Sequence, residues 1–196
     1  MLTVQTHSRP MAASGHHGIM KAFNDRAQAA GWSFTCAPAQ DFENAPLAGV
    51  LEVWRAKAQG RPMPCRADMT ARAMKPYLTH MSLLERTLVG GAPRYRIRLH
   101  GSTLARYAGD RTGKFLGDSV SPERLESYVA LYDTALALRA PMRVVSYYQA
   151  PEIDYLMGES LVAPLSIPGG DTPMLLSVTY TKPRPEFTRA VSASFA

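Results

Sequence analysis

The chain is poor in cysteine, in long apolar runs and, over a long central stretch, in metal-ligating side chains. Only Cys36 and Cys65 occur, in dissimilar surroundings and without C-x-x-C spacing, which indicates neither a disulfide framework nor a cysteine zinc site. No apolar run approaches the roughly 20 residues that a membrane helix needs. The N-terminus has no basic segment followed by an apolar one, so a secretory signal is not expected and the expected compartment is the cytoplasm. Residues 101–182 contain neither His nor Cys. Apolar residues at 46% against 19% charged, over 196 positions, describe a globular chain that buries a core as one domain with an extension.

The formal charge of +6 is concentrated in one region. Residues 51–118 hold 13 Lys and Arg against 5 Asp and Glu, whereas residues 1–50 are balanced and residues 119–196 hold 6 against 8. Such a patch suits nucleic acid, an acidic partner or solvent. No basic helix interleaved with aromatics occurs, so nucleic acid is not the expected partner.

Residues 1–18, with His7, His16 and His17 and little periodicity, read as a mobile leader, and Ile19 to Ala30 as a short helix stopped by Gly31. The His16-His17 pair has no third ligand at metal spacing. Trp32, Phe34 and Cys36 alternate as a brief strand. Leu47, Val50, Leu51, Trp54 and Ala58 then share one face of an amphipathic helix that ends at Gly60. That stripe either covers the chain's own sheet or also pairs with a second copy, which makes Leu47, Val50, Leu51 and Trp54 a candidate dimer or partner interface. Asp68 opens a short helical piece to Ala73.

Two strands follow, His80–Leu88 and Arg94–His100, joined through Gly90-Gly91-Ala92-Pro93. In the second, Tyr95, Ile97 and Leu99 alternate with Arg94, Arg96, Arg98 and His100. The arginine row is expected to be solvated or covered by a helix. Residues 101–117 are broken by Gly101, Asp110, Gly113 and Gly117, the punctuation of short helices along a pocket wall. Ser121-Pro122-Glu123 starts a long helix with Leu125, Val129, Tyr132 and Leu136 on one stripe, ending at Arg139-Ala140-Pro141. Strands are predicted at Met142–Gln149, Tyr155–Ser166 and Met174–Lys182, the last two joined by a tight turn at Pro168-Gly169-Gly170-Asp171, before a frayed tail.

Two strands, broken helices, one long helix and three strands predict an α+β fold: one five-stranded antiparallel sheet covered on one face by the helical middle. Over residues 47–182 the motifs add a resemblance. Val53-Trp54-Arg55 on the leading helix, Pro64-Cys65-Arg66-Ala67-Asp68 before the first strand, Tyr95-Arg96-Ile97-Arg98-Leu99-His100-Gly101, Ala108-Gly109-Asp110-Arg111-Thr112-Gly113 and Glu159 through Pro164-Leu165 follow one another as in a known family. In that order the chain resembles the single-domain PAS family common in alphaproteobacteria. The resemblance implies a PAS domain over 47–182, an N-terminal extension over 1–46, partly flexible, and a C-terminal tail over 183–196. Two departures stand out: Ala108 where the family has Gly, and Arg111 where an apolar residue is common, which makes the floor of that turn more polar.

The resemblance further implies a non-enzymatic sensory or regulatory module. The PAS family at large includes heme and flavin sensors, but the absence of His and Cys from 101–182 argues against both, and no cofactor is expected. The candidate pocket is lined by Leu99, Leu104, Tyr107, Phe115, Leu116, Tyr132, Leu136, Tyr148, Val178 and Tyr180, which suits a small, partly apolar metabolite, although a filled core would need the same stripes. Gly109 to Lys114 is one residue short of a phosphate loop and lacks its Ser or Thr. His80 and His100 read as structural or surface histidines. With no output domain, a signal would leave through a homodimer or a regulatory protein partner. Two other readings stay open: a small enzyme using Tyr132 with Asp133 or Glu159, and a nucleic-acid binder using Arg94, Arg96 and Arg98.

Overall fold

The computed structural model describes residues 10–167 and 173–186. The turn at 168–171, the tail beyond 186, His7 and most of the leader lie outside the described residues. Six antiparallel strands form one sheet in the order β1-β4-β5-β6-β2-β3. They are β1 (Phe34–Pro38), β2 (Met81–Val89), β3 (Ala92–His100), β4 (Met142–Tyr147), β5 (Leu156–Leu165) and β6 (Met174–Pro183). The helices are α1 (Pro10–Ala29), α2 (Ala45–Ala58), α3 (Ser102–Ala108) and α4 (Pro122–Leu138). Among the described residues no helix is long and apolar enough to cross a membrane.

The expected five strands become six because the brief strand at Phe34 pairs with β4, from Phe34 opposite Ser146 to Pro38 opposite Met142. Helix α1 begins at Pro10 rather than near residue 18 and buries Met20, Phe23 and Ala27. The expected cover on one face becomes cover on both. On one face α1 and α4 pack over Leu84, Tyr95, Ile97, Val144, Val162 and Leu175; on the other, α2 and the segment 63–81 pack over Leu83, Leu161, Ala163, Leu165, Leu176 and Val178. Strand β5 is therefore buried at every position. A strand sandwiched in this way is apolar on both faces, so its sequence does not show which face looks where.

Helix α2 forms as its stripe predicts, with Pro46 in the first turn. Its five stripe residues Leu47, Val50, Leu51, Trp54 and Ala58 are all buried in the chain's own core, Leu47 and Val50 completely. Trp54 Nε1 donates to the Pro164 carbonyl oxygen at 3.0 Å. The first four residues thus serve the intramolecular interface and leave no apolar stripe open to a second copy. Asp68 does not open a helix. It closes the 3-10 turn Arg66–Asp68, and its Oδ2 accepts from Cys65 N at 2.8 Å and Arg61 Nη2 at 2.6 Å.

The β2–β3 hairpin turns at Gly90 (φ 60°) and Gly91 (φ 81°), two consecutive left-handed positions of the kind a two-residue hairpin turn requires. Further along the hairpin the register slips. Leu84 pairs with Ile97 and Leu83 with Leu99, leaving Arg98 as an extra residue in β3. This bulge reverses the alternation beyond it. Leu99 consequently joins the α2 side of the sheet, and His100 comes round to the α4 side, opposite Ser82.

Candidate functional site

The broken stretch 101–117 is built along the outer edge of β3. Gly113 N donates to the Ile97 carbonyl at 2.7 Å, Ile97 N to the Lys114 carbonyl at 2.9 Å, and Arg96 Nε to the Gly113 carbonyl at 3.2 Å. Asp110 Oδ1 accepts from Thr112 N at 2.9 Å, and Thr112 Oγ1 accepts from His100 N at 3.1 Å, so the turn is pinned to the end of the strand. Arg94 reaches Asp118 Oδ1 at 3.0 Å and lies over the Phe115 ring at 4.2 Å; Arg98 pairs with Glu85 at 3.4 Å. Each arginine of the row therefore has a partner within the chain.

Between this stretch, α4 and the sheet lies a cavity of about 340 Å³. Leu104, Tyr107 and Arg111 come from the broken stretch; Arg124, Tyr128 and Tyr132 from α4; Ser82, His100, Ser177 and Thr179 from the sheet; and Tyr148 and Ile153 from the β4–β5 connection. A smaller space of about 90 Å³ shares Arg124, Tyr128, Tyr132, Tyr148, Ser177 and Thr179 and reaches Phe34 and Val144. The α4 side of the sheet is thus incompletely filled. Gly158 makes room for the Ser146 side chain: a Cβ there would lie 2.8 Å from Ser146 Oγ, and at ordinary contact distance, 3.5 Å, from the Tyr148 ring.

Of the ten residues expected to line the pocket, Leu104, Tyr107, Leu116, Tyr132 and Tyr148 do so. The other five lie elsewhere. Leu99 and Val178 belong to the α2-side core, one through the Arg98 bulge and the other through the alternation of β6. Tyr180 also points to that side and stacks on His80, ring centroids 4.1 Å apart. Phe115 is held under Arg94, and Leu136 packs beside the α4-side core. The floor is formed instead by Ser177 and Thr179, hydroxyl positions between the apolar residues of β6.

His100 was expected to be structural or on the surface, and it is neither in full. Its Nδ1 lies 3.0 Å from Ser82 Oγ, whereas its buried Nε2 has no hydrogen-bond partner among the described residues. Burial, with the Arg111 guanidinium as a second cause, lowers the imidazole below its ordinary value against the opposing field of Asp110. Tyr148 is pushed up to about 12 and Tyr132 higher still, in both cases chiefly by burial. At neutral pH the cavity therefore presents protonated tyrosines, a neutral histidine and two arginines. None of its lining residues is acidic.

The two acids weighed as partners for Tyr132 are placed away from the cavity. Asp133 Oδ1 accepts from Tyr95 Oη at 2.6 Å and from Arg86 Nε at 3.1 Å. Glu159 lies on the opposite face of β5 from Ser160 and accepts from Glu43 N, Asn44 N, Asn44 Nδ2 and Arg143 Nε. His80 is satisfied at Nδ1 by the Thr179 carbonyl, 3.1 Å away. Among the described residues no group of three His, Cys, Asp or Glu side chains is arranged to hold a metal ion.

His100, Arg124, Tyr128, Ser82, Ser177 and Thr179 line the cavity without having been singled out for it. The polar positions of β6 were a usable signal for the last two. Arg111, a departure from the pattern of the family that the motifs resemble, brings a guanidinium whose field reaches His100, Tyr132 and Tyr148. In comparisons with known proteins, the chain matches no family model and no curated protein.

Proposed function

We propose that this chain is a regulatory module built on the PAS plan, which binds a small molecule in the α4-side cavity and signals by changing its association with another protein. The observation that carries this reading is the cavity of about 340 Å³ between the broken stretch and the sheet, whose wall combines apolar side chains with serine, threonine and tyrosine hydroxyls. Setting β1 aside, two strands precede the helical middle and three follow it, which supports the plan that the sequence motifs suggested. A wall of short elements held mainly to one strand edge is also the part of the structure most readily shifted by an occupant. Since the α2 stripe is buried, association uses other surface.

Hydrogen exchange tests this reading. A deproteinised small-molecule extract of the source cells should slow exchange of amides in 101–117 relative to buffer. Unchanged exchange there, with the extract at cellular concentration, contradicts it.

A further inference from the structure

We propose that the cavity selects small organic anions, specifically a carboxylate carried on an apolar or aromatic body; this rests on the reading of the cavity as a ligand site. The argument is an inventory of its polar groups. Arg111 and Arg124 both line it, and neither forms an ion pair within the described residues. Arg111 spends Nε on the Ala108 carbonyl at 3.1 Å, and Arg124 spends one Nη2 contact on Tyr128 Oη at 3.3 Å, which leaves further N–H groups on each guanidinium. The Tyr132 and Tyr148 hydroxyls make no hydrogen bond to another described residue and, being protonated, are donors as well. When Ser82 donates to His100 Nδ1, the neutral ring carries its proton on the unpartnered Nε2.

Donors of this kind ask for an acceptor-rich partner, and two fixed positive charges ask for a negative one. None of the lining residues is a carboxylate, and no carboxylate among the described residues pairs with Arg111 or Arg124. Asp110, whose field reaches His100, is turned into its own loop by Thr112, and Glu126, one turn of α4 from the site, is paired with Arg26 at 2.8 Å. Leu84, Ile97, Leu104 and Leu116 leave part of the wall apolar, which favours a ligand with a hydrocarbon body over a bare inorganic anion.

Isothermal titration calorimetry with phenylacetate, its neutral isostere phenylacetamide and the cation benzylamine tests the proposal. Phenylacetate should bind about tenfold or more tightly than phenylacetamide, the effect of one charge-assisted contact, and benzylamine should not bind. Arg111→Gln and Arg124→Gln should each weaken phenylacetate by a similar factor and leave phenylacetamide unchanged. Equal binding of acid and amide overturns the anion proposal while leaving the cavity a ligand site. Binding of none of the three overturns the anion proposal, and if the cell extract also fails to protect 101–117, the ligand-site reading falls with it. Should either arginine variant not fold, the comparison of acid with amide on the unaltered protein still decides.

Discussion

Ser82 and His100 face each other across the β2–β3 ladder, with Ser82 Oγ 3.0 Å from His100 Nδ1. That pairing exists because Arg98 is accommodated as a bulge; strict alternation would have turned His100 toward α2 and Leu99 toward the cavity. One extra residue thus exchanges an apolar wall for an imidazole.

The first prediction concerns that imidazole. Burial and Arg111 lower its pKa in the folded protein, so the unfolded chain binds the proton first as pH falls. The contribution to stability is whole above the unfolded value, about 6.5, and is lost as pH falls from there toward the folded value. Nitrogen-detected NMR of the His100 ring should show a midpoint below 6.5, and Arg111→Gln should raise it. A midpoint at or above the ordinary value contradicts the placement.

A second prediction concerns close packing behind the same strand. A Cβ on Gly101 would lie 2.4 Å from the Thr79 carbonyl oxygen and 2.6 Å from that of Leu78. These are backbone atoms with little freedom to yield, so Gly101→Ala should cost about 1–3 kcal/mol in urea denaturation. Gly18→Ala, in α1 with nothing within 4 Å, should instead stabilise by about 0.5–1 kcal/mol.

A third prediction concerns α2. Trp54 is buried and bonded to the Pro164 carbonyl, so Trp54→Ala should destabilise by about 3–5 kcal/mol, and Trp54→Phe, which leaves that oxygen without its donor, by about 1–3 kcal/mol. Sedimentation of the folded Trp54→Phe protein should match that of the unaltered chain, because the residue faces the chain's own sheet. A loss of oligomer confined to the variant would return α2 to the role of a partner surface.

Glu159 supplies a fourth. Burial alone would raise its carboxyl, but donors from Glu43 N, the Asn44 side chain, Arg143 and Asn44 N outweigh that and hold it below the ordinary value. Its stabilising contribution is present above the unfolded pKa, about 4.3, and is lost as pH falls through the lower folded value. Glu159→Gln removes the charge that faces Arg143 Nε and leaves Arg143 with Glu43 at 3.4 Å, so it should cost about 1–3 kcal/mol at neutral pH. It should also flatten the acid limb of the stability curve; an unchanged limb would show that Glu159 does not carry it.

The elements that repeat a period were legible in the sequence. Leu47 to Ala58 and Ser121-Pro122-Glu123 located α2 and α4 to within a few residues, because one-sided burial imposes spacing and helix starts impose chemistry. Which way a strand residue faces was less legible. Val178 and Tyr180 are apolar on the far face, while Ser177 and Thr179 floor the cavity, and a sheet covered on both sides removes the contrast that alternation normally provides. The bulge at Arg98 left no mark either, since an arginine in a row of arginines looks the same whether paired or extra.

The most direct test of the central claim is native mass spectrometry of the protein purified from its own source cells, unaltered and as Leu104→Trp, which places an indole in the cavity. The unaltered chain should carry a small-molecule mass, which fragments to an organic acid, and the folded variant should lack it. A ligand-free unaltered protein, or the same adduct on both proteins, would contradict the account.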